Sequence, residues 1–199
     1  RSSAASDVYK RQSLYGSLGE AFRHAFFQVG SIITTCGYAT TDFDLWPETS
    51  KMILVLLMFI GACAGSTGGG FKISRLLILC KAIPKQLSLV IHPREVKVIR
   101  MDGKPIDHNT LRSTNVYLAI YFFILLVSTL LISVDNFNLT TNFTAVASTL
   151  NNIGPGLDSV GPTRNFGMYS DFSKFVLMFD MLAGRLELYP LLIPVSYTH

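Results

Sequence analysis

Charge is scarce in this sequence. Of its 199 residues, 15% are Asp, Glu, Lys or Arg, while 49% are hydrophobic. Soluble domains usually carry about 25% charged residues, so the composition points towards a membrane. Cysteine occurs three times, at Cys36, Cys63 and Cys80. An odd, unevenly spaced set beside apolar stretches makes neither a disulfide framework nor a zinc pattern, and reads as small hydrophobes. His24, His92 and His108 share no ligand spacing, and the carboxylates form no general acid/base pair, which argues against a membrane enzyme. No cofactor is expected. The basic residues have no aromatic platform beside them, so a nucleic-acid face is not expected. Arg1 to Gln12 lacks the apolar core of a signal peptide. It reads as a translated vector or adapter joint, and Val195 to His199 reads the same way.

What the sequence does contain is a short apolar helix, a Gly-bearing turn and a longer apolar helix. Ser17 to Thr35 has apolar residues at Ala21, Ala25, Val29 and Ile32-Ile33, a helical spacing. Arg23, His24 and Gln28 interrupt it, and it falls short of the about 20 apolar residues that a span requires. Thr34-Thr35-Cys36-Gly37-Tyr38 follows, then the polar Asp42 to Pro47. Pro47 to Thr49 can start a helix, with Glu48 in its first turn. The apolar run from Met52 to Ala64 then breaks at Gly65-Ser66-Thr67-Gly68-Gly69-Gly70, and a helical stretch resumes from Phe71 to Ile83. Consecutive glycines cannot continue a stable helix, so this reads as one crossing broken in the middle. The glycines precede Lys72 but lack the spacing of a nucleotide loop. Irregular backbone at membrane depth is tolerated where it lines a water-filled cavity, and its carbonyls can replace a cation's hydration shell.

The block from Lys72 to Arg112 is basic, which places it on the cytoplasmic side by the positive-inside rule. Within it, Glu95 to Met101 alternates, Asp102-Gly103 turns and Lys104-Pro105-Ile106 leaves, predicting a hairpin. Asn115 to Val134 is apolar and long enough to span. Asn138-Leu139-Thr140 and Asn142-Phe143-Thr144 match the glycosylation sequon, a pattern that is common by chance.

Next, the first device recurs. Phe143 to Leu150 leads into Asn151-Asn152-Ile153-Gly154-Pro155-Gly156. Ser31 aligns with Ser148, Thr34 with Asn151, Thr35 with Asn152 and Gly37 with Gly154, all at one offset. Ser50-Lys51 aligns with Ser173-Lys174 and Gly61 with Gly184 at a larger offset, the extra residues lying in the loop Leu157 to Asp171. Matched spacing on both sides of one insertion implies a duplication, and internal repeats build pores and transporters. Phe172 to Ala183 is again an apolar crossing, interrupted at depth by Asp180, Arg185 and Glu187. Charges there face protein or water.

These motifs, with Asp42-Phe43, Leu45-Trp46-Pro47 and Gly184-Arg185-Leu186-Glu187, resemble the TrkH branch of the TrkH/KtrB/HKT superfamily of bacterial potassium-uptake proteins. The match extends from about Gly16 to Pro194. The resemblance implies an all-α membrane protein of repeated helix–pore-loop–helix units around a pseudo-fourfold ion pore, with a short cytoplasmic β-hairpin. It implies that the chain is a C-terminal fragment holding part of the third and all of the fourth repeat. The division is then 13–90 for the third, 91–112 for the hairpin linker and 113–194 for the fourth, between non-native ends at 1–12 and 195–199.

By the same resemblance, the selectivity filter is Thr35, Cys36 and Gly37 with Asn152, Ile153 and Gly154. Potassium is the transported ligand, held by the carbonyls of Thr35, Cys36, Asn152 and Ile153. The gate is Gly65, Ser66, Thr67, Gly68, Gly69 and Gly70 with Arg185, whose candidate partners are the carbonyls of Gly68 to Gly70. Cys36 stands where many relatives carry threonine, and a filter built from carbonyls should not depend on it. Implied partners are a second copy of the full-length protein, a cytosolic TrkA-type nucleotide-binding regulatory subunit and the lipid of the bacterial inner membrane. The alternative reading is a secondary transporter of another small solute or cation, such as sodium, built on discontinuous helices.

Overall fold

The computed structural model describes residues 15–61, 69–91, 100–101, 104–106 and 108–185. Two helix–loop–helix units follow one another, joined by a broken helix, a hairpin and a long helix. Helix α1 (Leu18–Ile33) begins at Ser17, whose hydroxyl accepts the Glu20 N–H, satisfying one of the free donors of the first turn. Helix α2 (Glu48–Phe59) starts after Pro47. It ends in strand β1 (Ile60–Gly61), which pairs in parallel with β2 (Phe71–Lys72), so the chain leaves and returns at one neck. Helix α3 (Ile73–Ile91) follows directly.

Next come β3 (Arg100–Met101) and β4 (Lys104–Pro105), paired antiparallel as the expected hairpin. Helix α4 (His108–Ile132) runs back to the second unit. That unit is helix α5 (Leu139–Leu150), a filter loop, two 3-10 turns at Asp158–Val160 and Phe166–Met168, and helix α6 (Asp171–Arg185).

Three helices extend beyond the sequence expectation. Helix α3 passes through Pro84 to Ile91 instead of ending at Ile83. A proline removes one backbone bond, and helices in apolar surroundings tolerate that loss. Helix α4 starts seven residues before Asn115 because its polar first turns satisfy themselves. Ser113 and Thr114 hydroxyls both donate to the Thr110 carbonyl, at 3.0 and 2.8 Å. Helix α5 starts at Leu139, before Phe143, because its polar residues find partners inside the fold. Thr141 donates to Asp158 at 2.8 Å, and Asn142 accepts from the Tyr169 hydroxyl at 3.0 Å. Asn142, the asparagine of one sequon match, is therefore buried.

Among the described residues, one helical stretch, Thr110–Asp135, is long and apolar enough to cross a membrane. It exposes Phe123, Leu126 and Leu130 while burying Tyr117, Tyr121 and Leu125. A helix apolar on all sides has no face suited to water.

Among the described residues, two main cores hold the molecule together. The larger joins α4, α5 and α6 through Tyr121, Leu125, Val146, Leu150, Tyr169 and Leu177. The smaller straddles the two units, with Ile32, Phe43, Leu54 and Met58 of the first against Ile153 and Leu157 of the second. A small third cluster of Ile78, Ala82 and Leu111 ties α3 to the start of α4.

The duplication extends to local contacts. Lys51 pairs with Glu48 at 2.6 Å in α2, and Lys174 with Asp171 at 3.5 Å at the matching place in α6. The units diverge further along: α6 remains helical through Gly184, whereas the matching Gly61 lies in β1, beyond the helix break. A Cβ at Gly61 would approach the Gly69 carbonyl oxygen to 2.7 Å, and one at Gly184 would collide with the Leu150 carbonyl.

Backbone faces backbone at Gly184, so there is no flexible side chain to yield. Gly184→Ala should destabilise the protein by about 1–3 kcal/mol, the usual effect of overpacking. Thermal unfolding of the full-length protein in detergent measures this, and an unchanged transition would contradict the contact.

A candidate ion filter

Each short helix ends in the same way. Thr35 and Asn152 both adopt left-handed backbone, at φ 55. The Thr35 N–H donates to the Ile32 carbonyl at 3.1 Å and the Cys36 N–H to Ser31 at 2.9 Å. In the second unit, Asn152 donates to Thr149 at 3.0 Å and Ile153 to Ser148 at 2.9 Å. This pair of bonds, one closing to each of two final-turn carbonyls, is the Schellman closure of a helix. It usually carries glycine at the left-handed position; here threonine and asparagine occupy it.

The preceding residue closes the turn as well. Thr34 Oγ1 donates to the Gly30 carbonyl at 2.7 Å, and Asn151 Nδ2 to the Ala147 carbonyl at 2.7 Å. The aligned serines tie down the segments beyond. Ser31 Oγ donates to the Tyr38 carbonyl at 2.6 Å, and Ser148 Oγ accepts the Gly154 N–H at 3.1 Å.

Both loops then pass through glycine at positive φ, 79 at Gly37 and 116 at Gly154. A residue with a Cβ is strained there. The two loops also meet. A Cβ at Gly37 would collide with the Ile153 carbonyl, and one at Gly154 would lie 4.0 Å from the Gly37 Cα. All six expected filter residues thus lie in two adjacent, equivalently built turns at helix C-termini, where the aligned peptide dipoles leave partial negative charge. Cys36 is exposed and its counterpart Ile153 is buried, so the side chains differ while the backbone repeats.

A family profile described as "TrkH: Cation transport protein" matches residues 14–199. The chain belongs to the TrkH family. It is 39% identical over 184 residues to the "Trk system potassium uptake protein TrkH" of Vibrio parahaemolyticus, covering 92% of this chain and 38% of that one. It is 36% identical to the protein of that name from Escherichia coli K12, covering 91% and 37%. It is 33% identical to "Trk system potassium uptake protein TrkG" of the same strain, covering 92% and 36%. The chain thus spans less than two fifths of these curated relatives. The crystal structure of "the Potassium Transporter TrkH from Vibrio parahaemolyticus" matches with TM-score 0.84 at 38% identity, over 96% of this chain and 40% of that one. The fold of helix–pore-loop–helix units with a short hairpin is therefore that of a TrkH-family protein.

Of the expected gate, Gly65, Ser66, Thr67 and Gly68 lie outside the described residues. Gly69 and Gly70 sit against the end of α5. Cβ atoms there would approach the Asn151 carbonyl oxygen to 2.5 Å and its Oδ1 to 2.7 Å. Arg185 closes α6, next to the Gly184 that abuts Leu150.

Sequence reasoning overlooked the clasp between the two filter-side loops. Asp44 Oδ1 accepts the Asp158 N–H at 2.9 Å, and Thr163 donates to Asp42 at 3.3 Å. Burial pushes the Asp44 carboxyl up, against the lowering effect of that N–H. Asp158 behaves oppositely: hydrogen bonds from Thr141 and then Asn138 hold it below the ordinary 3.8. Neither carboxylate has a counterpart in the repeat, so the duplication offered no signal.

A lowered pKa in the folded state means that ionised Asp158 stabilises the fold above the unfolded value. That contribution disappears as pH falls through the lowered folded value. Asp158→Asn, which tolerates left-handed backbone as aspartate does, should therefore flatten part of the stability lost below about pH 4. Unfolding temperature against pH for both forms checks this; identical slopes would refute it.

Proposed function

We propose that this chain supplies part of the third and all of the fourth repeat of the pore of a potassium-uptake protein in the bacterial inner membrane. The observation that carries the reading is the pair of matched left-handed helix ends, which bring Gly37 against the Ile153 carbonyl. The printed names of the relatives, potassium uptake proteins, support potassium as the cargo.

On this reading, the carbonyls of Thr35, Cys36, Asn152 and Ile153 replace part of the ion's hydration shell, and two further repeats complete the ring. The glycines free the backbone to present those oxygens. The helix ends add negative potential for a cation and disfavour an anion.

The Gly65 to Gly70 segment is proposed as the gate, and its Gly69-Gly70 end, packed against Asn151 at the turn of the second unit, supports that reading. Arg185 is proposed to hold it closed. A planar guanidinium offers several donors to carbonyls, and a fixed positive charge below a filter raises the barrier to a passing cation. The working protein is proposed to be a homodimer regulated by a cytosolic nucleotide-binding subunit of the TrkA type, with the basic 72–112 segment as a contact surface.

In the full-length protein, Gly37→Ser or Gly154→Ser forces a side chain into backbone that strains it by about 1–3 kcal/mol. Potassium selectivity or uptake should fall roughly ten- to a hundredfold. Growth on limiting potassium and flux into proteoliposomes measure this, and two unaffected variants would end the pore assignment. Arg185→Ala should raise ion leak in the absence of the regulator, with Arg185→Lys intermediate. An alanine variant that inserts normally and leaks no more than wild type would remove the arginine from the gate.

A further inference from the structure

The neck where β1 and β2 pair packs on the ring of Tyr121, whose hydroxyl makes a buried hydrogen bond to Asn151 at the second unit's turn. Ile60 lies beside Phe71 and Gly61 beside Lys72, so the Gly-rich segment enters and leaves at this point. Tyr121 of α4 packs against both sides of the neck, its ring 6.4 Å from Phe59 and 6.4 Å from Phe71. It stacks on Tyr117 at 6.3 Å, and the Arg75 guanidinium lies 4.0 Å above the Tyr117 ring. The Tyr121 hydroxyl donates to Asn151 Oδ1 at 2.8 Å, and both residues are buried.

That amide is held by two hydrogen bonds in a space that admits no further side chain. Its Nδ2 donates to the Ala147 carbonyl at 2.7 Å, its Oδ1 accepts from Tyr121, and Gly70 leaves no room for a side chain beside the same oxygen. The next residue is Asn152, whose left-handed backbone begins the filter segment and whose Nδ2 donates to the Met181 carbonyl at 3.0 Å. In the first unit, the matching residue is Thr34. It makes the cap bond to Gly30, but its short side chain cannot reach across in the way that Asn151 does.

We propose that Tyr121 and Asn151 are positioning residues that couple the neck of the gating segment to the fourth repeat's filter turn. The inference rests on the pore reading above. Displacing Phe59 or Phe71 moves the Tyr121 ring. The buried bond then either carries Asn151 with it or breaks, leaving a buried acceptor unpaired. One hydrogen bond thus makes the neck's position and the filter's carbonyl geometry depend on each other. Two elements sharing one bond is a physical route for coupling, in contrast to mere proximity.

The test uses full-length protein in proteoliposomes or planar bilayers, reading the potassium-to-sodium permeability ratio together with thermal stability. Tyr121→Phe keeps the ring and removes only the donor. Asn151→Thr keeps a cap bond, as Thr34 does, and removes the reach to Tyr121. Each single variant should lower the ratio about three- to tenfold, the effect of one net hydrogen bond. The double variant should match the singles, because they share that bond. Single variants with an unchanged ratio, whether or not stability drops, would overturn the coupling and leave a purely structural bond. Effects that multiply in the double variant would overturn it too. Wild type that passes no potassium would overturn the pore reading itself.

Discussion

A helix that ends inside a protein must find partners for its last carbonyls. This molecule depends on how two short helices meet that constraint. Both close their final turn through a left-handed residue, Thr35 or Asn152, whose own N–H and whose successor's N–H turn back into the helix. The chain consequently reverses sharply and runs away as an extended segment with its next carbonyls unused by the helix. Such oxygens are what a cation requires. Asparagine tolerates this backbone at 152, but the β-branched threonine at 35 does not favour it, so the first turn is maintained by its surroundings. The aligned serines, the Thr34 and Asn151 cap bonds and the close approach of Gly37 to Ile153 all contribute to holding the two turns.

The two units are equivalent at the filter and unequal below it. Helix α6 continues past the level at which α2 breaks, and Gly69 and Gly70 lie against Asn151. One helix breaks at a neck where its counterpart runs on, so the repeat is asymmetric on this side of the turns. Tyr121 sits between the neck and the second unit's turn, with its ring against Phe59 and Phe71 and its hydroxyl on Asn151.

Much of this was legible in the residues. The apolar spacing of Ala21, Ala25 and Val29 predicted α1, and the run from Asn115 to Val134 predicted most of α4. The alignment of Ser31 with Ser148 and of Thr35 with Asn152 marked equivalent positions, and the structure gives them equivalent hydrogen bonds. Helix ends were less legible, because hydroxyls that bond their own helix look like loop residues. Ser113 and Thr114, which both bond the Thr110 carbonyl, are examples. Contacts across the fold could not be read at all. Tyr121 is one aromatic among many in an apolar run, and nothing local assigns it to Asn151. Asp44 and Asp158 meet through a bond between residues distant in sequence. The roles of Thr35, Cys36, Gly37, Asn152, Ile153, Gly154 and Arg185 come from family resemblance and filter chemistry, and they stand as proposals.

The central claim is that backbone oxygens of these two turns hold the transported ion. Anomalous diffraction from crystals of the full-length protein soaked in rubidium or thallium, heavy stand-ins for potassium, measures ion position directly. The account predicts a peak within coordination distance of the carbonyls of Thr35, Cys36, Asn152 and Ile153, absent in the Gly37→Ser variant. A peak elsewhere in the molecule, with none between the two turns, would contradict it.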